Sequence, residues 1–133
     1  MDENEEYNAF LEFYMILFHN IKGKDNNILI ELCANASVKD YSKYSFYDDV
    51  KESITKLNLK YELGIISDAW PSLKSVYKVN KMLQYFEPFI ISSIYGCIKQ
   101  GYDLFRFALA NAAQKPDECL FVDDSYANCK RAK

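Results

Sequence analysis

The chain has 133 residues, 50% of them hydrophobic, with nine phenylalanines and eleven tyrosines, and a formal charge of −3. That length suits one domain with an ample core. The mild acidity offers no basic footprint for nucleic acid and reads as ordinary solubility. No apolar run approaches the ~18 residues of a membrane span. The acidic opening, Met1 to Glu6, is the reverse of a signal peptide. The four cysteines, Cys33, Cys97, Cys119 and Cys129, show no CxxC spacing, and the chain has one histidine. This argues against a zinc site and for reduced thiols in a cytoplasmic protein.

Tyr7, Phe10, Leu11, Tyr14, Leu17, Phe18 and Ile21 recur at helical spacing and predict an amphipathic first helix. Gly23, Lys24 and Asp25 end it. Asn26 or Asn27 can cap a second helix, from Ile28 to about Ala34. Residues 35 to 45 are polar and tyrosine-rich and read as a connection. Asp48 or Asp49 opens a third helix, with Val50, Ile54 and Leu57 on one face. The period then changes. Tyr61 to Ile66 is a β-type run ending on Ser67-Asp68, and Pro71 stands where a helix tolerates proline, in its first turn. That helix carries Leu73, Val76, Tyr77, Asn80 and Leu83 inward. Phe89 to Ser92 reads as a second strand. Leu104, Phe105, Ala108, Leu109 and Ala112 mark another helix after Gly101. Cys119 to Val122 reads as a third, buried strand, ending on Asp123-Asp124, with a helix opening at Ser125.

Helices thus fill residues 1 to 45, and strands alternate with helices from 46 to 133. Such alternation predicts an α/β fold, with a Rossmann-like parallel sheet and helices on both faces in three layers. Parallel strands deliver their carboxyl ends to one edge, where ligands bind. Ser67-Asp68, Lys99 and Asp123-Asp124 can therefore converge, although 32 residues separate 67 from 99 and 24 separate 99 from 123. An acid pair is the usual seat for Mg²⁺. With a hydroxyl and an ammonium it suits a transferring phosphoryl group, whose oxygens need charge offset and orientation.

The segment Tyr61-Glu-Leu-Gly-Ile-Ile-Ser-Asp-Ala69 ends an apolar strand on Ser. Ser92-Ser-Ile-Tyr-Gly-Cys-Ile-Lys-Gln-Gly-Tyr-Asp-Leu-Phe105 carries a lysine ahead of an apolar pair. Cys119-Leu-Phe-Val-Asp-Asp-Ser-Tyr-Ala-Asn128 ends a strand on two acids. In order, these resemble the second, third and fourth motifs of the haloacid dehalogenase superfamily of hydrolases, in the branch with a helical cap near the start. Phe46 to Ile54 resembles the helix leading out of that cap. The likeness covers roughly residues 44 to 133, and residues 1 to 43 share only their helical character. A receiver domain also has a Val-Asp-Asp strand end, but near its amino terminus. Here nine residues follow Asp124.

The resemblance implies a helical cap segment at 1–45 and a core at 46–133. It implies that Ser67 hydrogen-bonds phosphoryl oxygens, that Lys99 pairs with the phosphoryl group and the nucleophile, and that Asp123 holds Mg²⁺ with Asp124 beside it. Asp68 either adds charge to the substrate site or caps the helix at Pro71. Asn128 is either a site amide or a helix-surface amide. The implied substrate is a small phosphorylated metabolite, with no nucleic acid or membrane partner.

The family's nucleophile is an Asp in an Asp-x-Asp motif after the first strand. None of Asp2, Glu3, Glu5, Glu6, Glu12, Asp25, Glu31 or Asp40 follows an apolar β-type run in that spacing, and Asp68 is the nearest stand-in. The expectation is therefore a chain that begins inside the cap, with the first and last strands of the sheet missing, and that is inactive alone. The strands of the second and fourth motifs must then pair directly or leave backbone groups unpaired. An alternative is a non-catalytic remnant that binds metal or phosphate. It could also engage a protein through the face bearing Phe10, Tyr14 and Phe18, or self-associate through an open sheet edge.

Overall fold

The computed structural model describes residues 1–22 and 26–133. The expected helix stop at Gly23 to Asp25 lies outside the described residues. Among those residues no helix is long and apolar enough to cross a membrane.

Helix α1 spans Glu3–Lys22. Asp2 starts it, its Oδ1 accepting from the amides of Asn4 and Glu5 at 2.8 and 2.9 Å. Acidic Glu3, Glu5 and Glu6 in the first turn favour the positive end of the helix dipole. Helix α2 spans Asn27–Lys39, and the Asn26 side chain caps it by accepting from the Leu29 amide at 3.1 Å. It runs five residues beyond the expected end because Ile30, Ala34 and Val38, all within 2% exposure, continue one i, i+4, i+8 face. The polar residues after Ala34 conceal that face in the sequence.

The two helices lie antiparallel. Tyr14 Oη and Ser37 Oγ are 2.9 Å apart, Lys39 Nζ sits 5.0 Å from the Tyr7 ring centre, and Tyr41 Oη donates to Glu3 at 3.3 Å. A 3₁₀ turn at Tyr41–Lys43 and helix α3, Val50–Asn58, follow. No residue of α3 is fully buried, so its expected inner face is only partly covered.

Strand β1 is Ile65–Ser67 and β2 is Phe89–Ile91. They pair in parallel, with Ile65 opposite Phe89, Ile66 opposite Ile90 and Ser67 opposite Ile91. The crossover between them contains α4, Ser72–Val79. Alternation along a strand sends Phe89 and Ile90 to opposite faces. Phe89 meets the Tyr77 ring of α4 at 5.1 Å, and Phe46 and Phe86 close around the same ring at 5.1 and 5.6 Å. This enclosure pushes the Tyr77 phenol up from its ordinary pKa. On the other face Ile90 packs with Leu104 and Ala108 of α6, Asp103–Ala112. Short α5, Ser92–Tyr95, continues directly from β2 and ends at Gly96, whose φ of 69° is a left-handed conformation suited to glycine. Helix α7 is Tyr126–Arg131. The chain is thus a mixed α/β protein, with two parallel strands among the described residues.

Both strands are shorter than expected. Residues 61–64 lie outside β1, and Ser92 begins a helix instead of ending β2. The third strand is absent: Cys119 to Val122 belong to no sheet among the described residues. Cys119 is exposed rather than buried, and Leu120 and Val122 are 89% and 80% exposed. Phe121 alone turns inward, its ring 5.1 Å from Phe105. Of the two expectations, the direct pairing of the second- and fourth-motif strands does not occur, and the other edge of β1 is left without a strand among the described residues. Among the described residues β1 bonds to β2 alone, and the 119–122 backbone is not seated on its open edge. Strand propensity without a partner does not make a strand.

Candidate functional site

Ser67 ends β1, half-buried, and its hydroxyl makes no hydrogen bond to another described residue. Asp68 follows at the surface, its Oδ1 accepting from the Lys99 amide at 2.9 Å. A second tie joins the same two strand ends: Ser92 Oγ accepts from the Ala69 amide at 3.1 Å. Asp68 thus links the loops after β1 and β2 and does not cap α4.

The N-terminus of α4 is capped from elsewhere. Pro71 precedes it and has no side-chain acceptor. Glu6 of α1, 1% exposed, accepts from the Ser72 amide at 2.8 Å and from Ser72 Oγ at 2.7 Å. Glu3 accepts from Ser75 Oγ one turn on. Two carboxylates therefore dock the helical hairpin onto the helix that follows β1, at the end where the dipole favours negative charge. Glu3, Glu6 and Phe10 share one helical face, but no spacing within α1 points to Ser72, so the sequence carries no signal for this cap.

Lys99 reaches Asp123 across 24 residues of chain. Its Nζ lies 2.7 Å from Asp123 Oδ2, with side chains 13% and 8% exposed. Asp123 Oδ1 accepts from the Ser125 amide at 2.9 Å and from Asn128 Nδ2 at 3.0 Å. The Lys99 hydrogen bond, above all, holds the Asp123 carboxyl down to about 2. The Ser125 and Asn128 donors reinforce it, and burial opposes it. Asn128 is therefore no surface amide; it orients Asp123. Ser125 caps α7, its Oγ accepting from the Asn128 amide at 3.4 Å. Asp124 points into solvent without a partner among the described residues. The structure therefore joins Asp68, Lys99 and Asp123 through hydrogen bonds, while Ser67 and Asp124 make none.

Asp123 and Asp124 have the hard oxygens that Mg²⁺ prefers. That ion is usually held by one or two carboxylates while it keeps several waters, so two acids suffice in kind. Among the described residues no group of three or more His, Cys, Asp or Glu gathers as a ligand cage. Asp123 Oδ1 accepts two hydrogen bonds and Oδ2 one, so a cation at Asp123 would share Oδ2 with the Lys99 ammonium or replace it.

A cleft of about 390 Å³ opens beside Ser67, between the helical hairpin and the end of β1. Phe10, Tyr44, Trp70 and Lys43 line it along with Ser67 and Asp68. Of the first four, the sequence marks only Phe10, and as part of a protein-binding face; Lys43 and Tyr44 lie in the connection at 35–45, which shows no pattern tying it to β1.

The family model described as haloacid dehalogenase-like hydrolase matches residues 5–133 of the chain. No curated protein and no solved structure matches it.

Proposed function

Because the chain belongs to the haloacid dehalogenase-like hydrolase family, we propose that it carries the phosphoryl-binding and metal-binding part of a Mg²⁺-dependent phosphatase acting on a small phosphorylated metabolite. The observation that carries this reading is the tie from Asp68 through Lys99 to Asp123, at 2.9 and 2.7 Å. It draws three distant segments together, next to the unengaged hydroxyl of Ser67. In this reading residues 1–45 form a helical cap and 46–133 a Rossmann-like core of three layers. The four free thiols suit a reducing, cytoplasmic setting.

Each residue then has a task. Ser67 donates to a phosphoryl oxygen, and Asp68 holds the Lys99 loop by its backbone. Lys99, released from Asp123, places its charge against the phosphoryl oxygens. Asp123 and Asp124 hold the cation, which supplies charge neutralisation when bound. Asn128 keeps Asp123 oriented. Covalent transfer also needs a nucleophile in line with the leaving group. The sequence contains no Asp-x-Asp pair, and Asp68 is committed to the Lys99 amide. We therefore expect binding without turnover from this chain alone.

Calorimetric titration with inorganic phosphate tests the reading. Binding should strengthen with Mg²⁺ and weaken at least about tenfold in Ser67→Ala and Asp123→Asn. Unchanged affinity in both variants rules the reading out. Mg²⁺-dependent hydrolysis of an aryl phosphate, lost in Asp123→Asn, overturns the expected lack of turnover.

A non-catalytic binding protein is the second reading. It is favoured by the three donors on the Asp123 carboxylate, which stabilise its charge without a metal.

A further inference from the structure

The cleft beside Ser67 is built from rings. Phe10 of α1 and Trp70 of the loop after β1 lie 5.3 Å apart, tilted by 51°. Tyr44 stands on the connection between the hairpin and α3. Trp70 and Tyr44 remain 44% and 46% exposed, so part of each side chain is accessible to a ligand. The volume of about 390 Å³ falls in the range of small-molecule sites.

The polar groups around those rings are largely spent within the protein. Glu6 accepts twice from Ser72. Ser37 Oγ is bonded to Tyr14 Oη at 2.9 Å. Lys43 Nζ donates to the carbonyls of Ala36 and Ser37 and rests 5.3 Å from the Tyr44 ring centre. Asp68 accepts from Lys99. What remains for a ligand is mainly aromatic surface, with the Tyr44 hydroxyl, the Trp70 indole N–H and, at one end, the Ser67 hydroxyl as its few unspent polar groups. A polyol entering this cleft would still bury hydroxyls without partners, which weakens binding. A flat ring would stack on Trp70 and lose nothing.

We propose that this cleft binds an uncharged aromatic group, the organic part of an aryl phosphate monoester whose phosphate lies at Ser67. The inference deepens the phosphoryl reading and rests on it for the phosphate half only. Phe10, Tyr44 and Trp70 are then the residues that set specificity.

Trp70 is the single tryptophan of the chain, so its emission reports directly on the cleft. Phenyl phosphate and glycerol 1-phosphate are titrated in the presence of Mg²⁺, with benzyl alcohol as the ring without phosphate. Phenyl phosphate should bind at least about fivefold more tightly than glycerol 1-phosphate, the advantage expected of a stacked aromatic pair. Phe10→Ala, which removes the ring packed against Trp70, should lower that ratio at least about twofold. Tyr44→Ala, at a more exposed ring, should lower it and serves if Phe10→Ala fails to fold. Ser67→Ala should weaken both phosphates alike and keep their ratio.

Equal affinity for the two phosphates, with dependence on Ser67 intact, overturns the aromatic cleft and leaves the phosphoryl reading standing. A ratio unmoved by Phe10→Ala and Tyr44→Ala also overturns it. Benzyl alcohol binding as tightly as phenyl phosphate, with Ser67→Ala silent, supports the cleft and removes the phosphoryl reading. No binding by either aromatic compound overturns the proposal.

Discussion

Replacing Lys99 by Met removes the ammonium from Asp123 and keeps a similar side-chain volume. Two unit charges 2.7 Å apart attract by about 6 kcal/mol at an effective dielectric of ~20, and desolvation of the pair offsets several kcal/mol of that. The lowered pKa bounds the same interaction in another way. Lowering the Asp123 carboxyl from 3.8 to about 2 amounts to at most ~2.5 kcal/mol, and solvent at the rim of the site reduces this to about 1–2 kcal/mol. Asp123 keeps the Ser125 and Asn128 donors in the variant. We therefore expect Lys99→Met to cost about 2 kcal/mol at pH 7, in urea melts followed by Trp70 emission. Adding Asp123→Asn should restore part of the loss, giving a coupling of about 1–2 kcal/mol.

The pH dependence has a definite sign. A carboxyl whose pKa is lower in the folded state stabilises the fold above its unfolded value of 3.8. That stability drains away as pH falls toward about 2, because the unfolded chain binds the proton first. The native protein should therefore lose stability more steeply than Lys99→Met between pH 5 and pH 2.5. A coupling below about 0.5 kcal/mol, or parallel acid limbs in the two proteins, would refute the ion pair as the link between these loops.

Removing the cap that Glu6 provides from α1 should also be costly. Glu6→Ala strands the Ser72 amide and hydroxyl and should destabilise by roughly 2–3 kcal/mol in thermal melts, with Glu6→Gln losing about half as much. A methyl group at Gly64 would stand 3.0 Å from Pro88 Cδ and 3.2 Å from its carbonyl oxygen. Gly64→Ala should cost about 1–3 kcal/mol through overpacking, and a neutral result would mean that this crossing is looser. Leu120→Ser and Val122→Ser, at positions 89% and 80% exposed, should change stability by no more than about 0.5 kcal/mol. Ile90→Ala, at a position 1% exposed, should cost about 3 kcal/mol. A large penalty at Leu120 would place that segment inside a sheet.

Local features of the chain were legible wherever the cause was itself local. The stripe from Tyr7 to Phe18 announces α1, Asn26 announces the start of α2, and the β-type run before Ser67 announces β1. The order Ser67, Lys99, Asp123 pointed to the family whose model the chain matches. Asn128 was read both ways, since an amide five residues from an acid can face it or face water. Glu6 went unmarked because one carboxylate in an acidic first turn looks like dipole chemistry.

Sequence alone therefore determined most of the helices, the approximate place of the two paired strands and the motif residues that mark the family, because periodicity, caps and strand ends act within a few residues. Only the tertiary structure decided that Cys119 to Val122 leave the sheet, because a strand exists through its neighbour and, among the described residues, they are not seated on the open edge of β1. It also decided that Glu6 caps a helix 66 residues away and that Lys99 spends its charge on Asp123. Those outcomes depend on which groups meet in space, and spacing along the chain does not encode that.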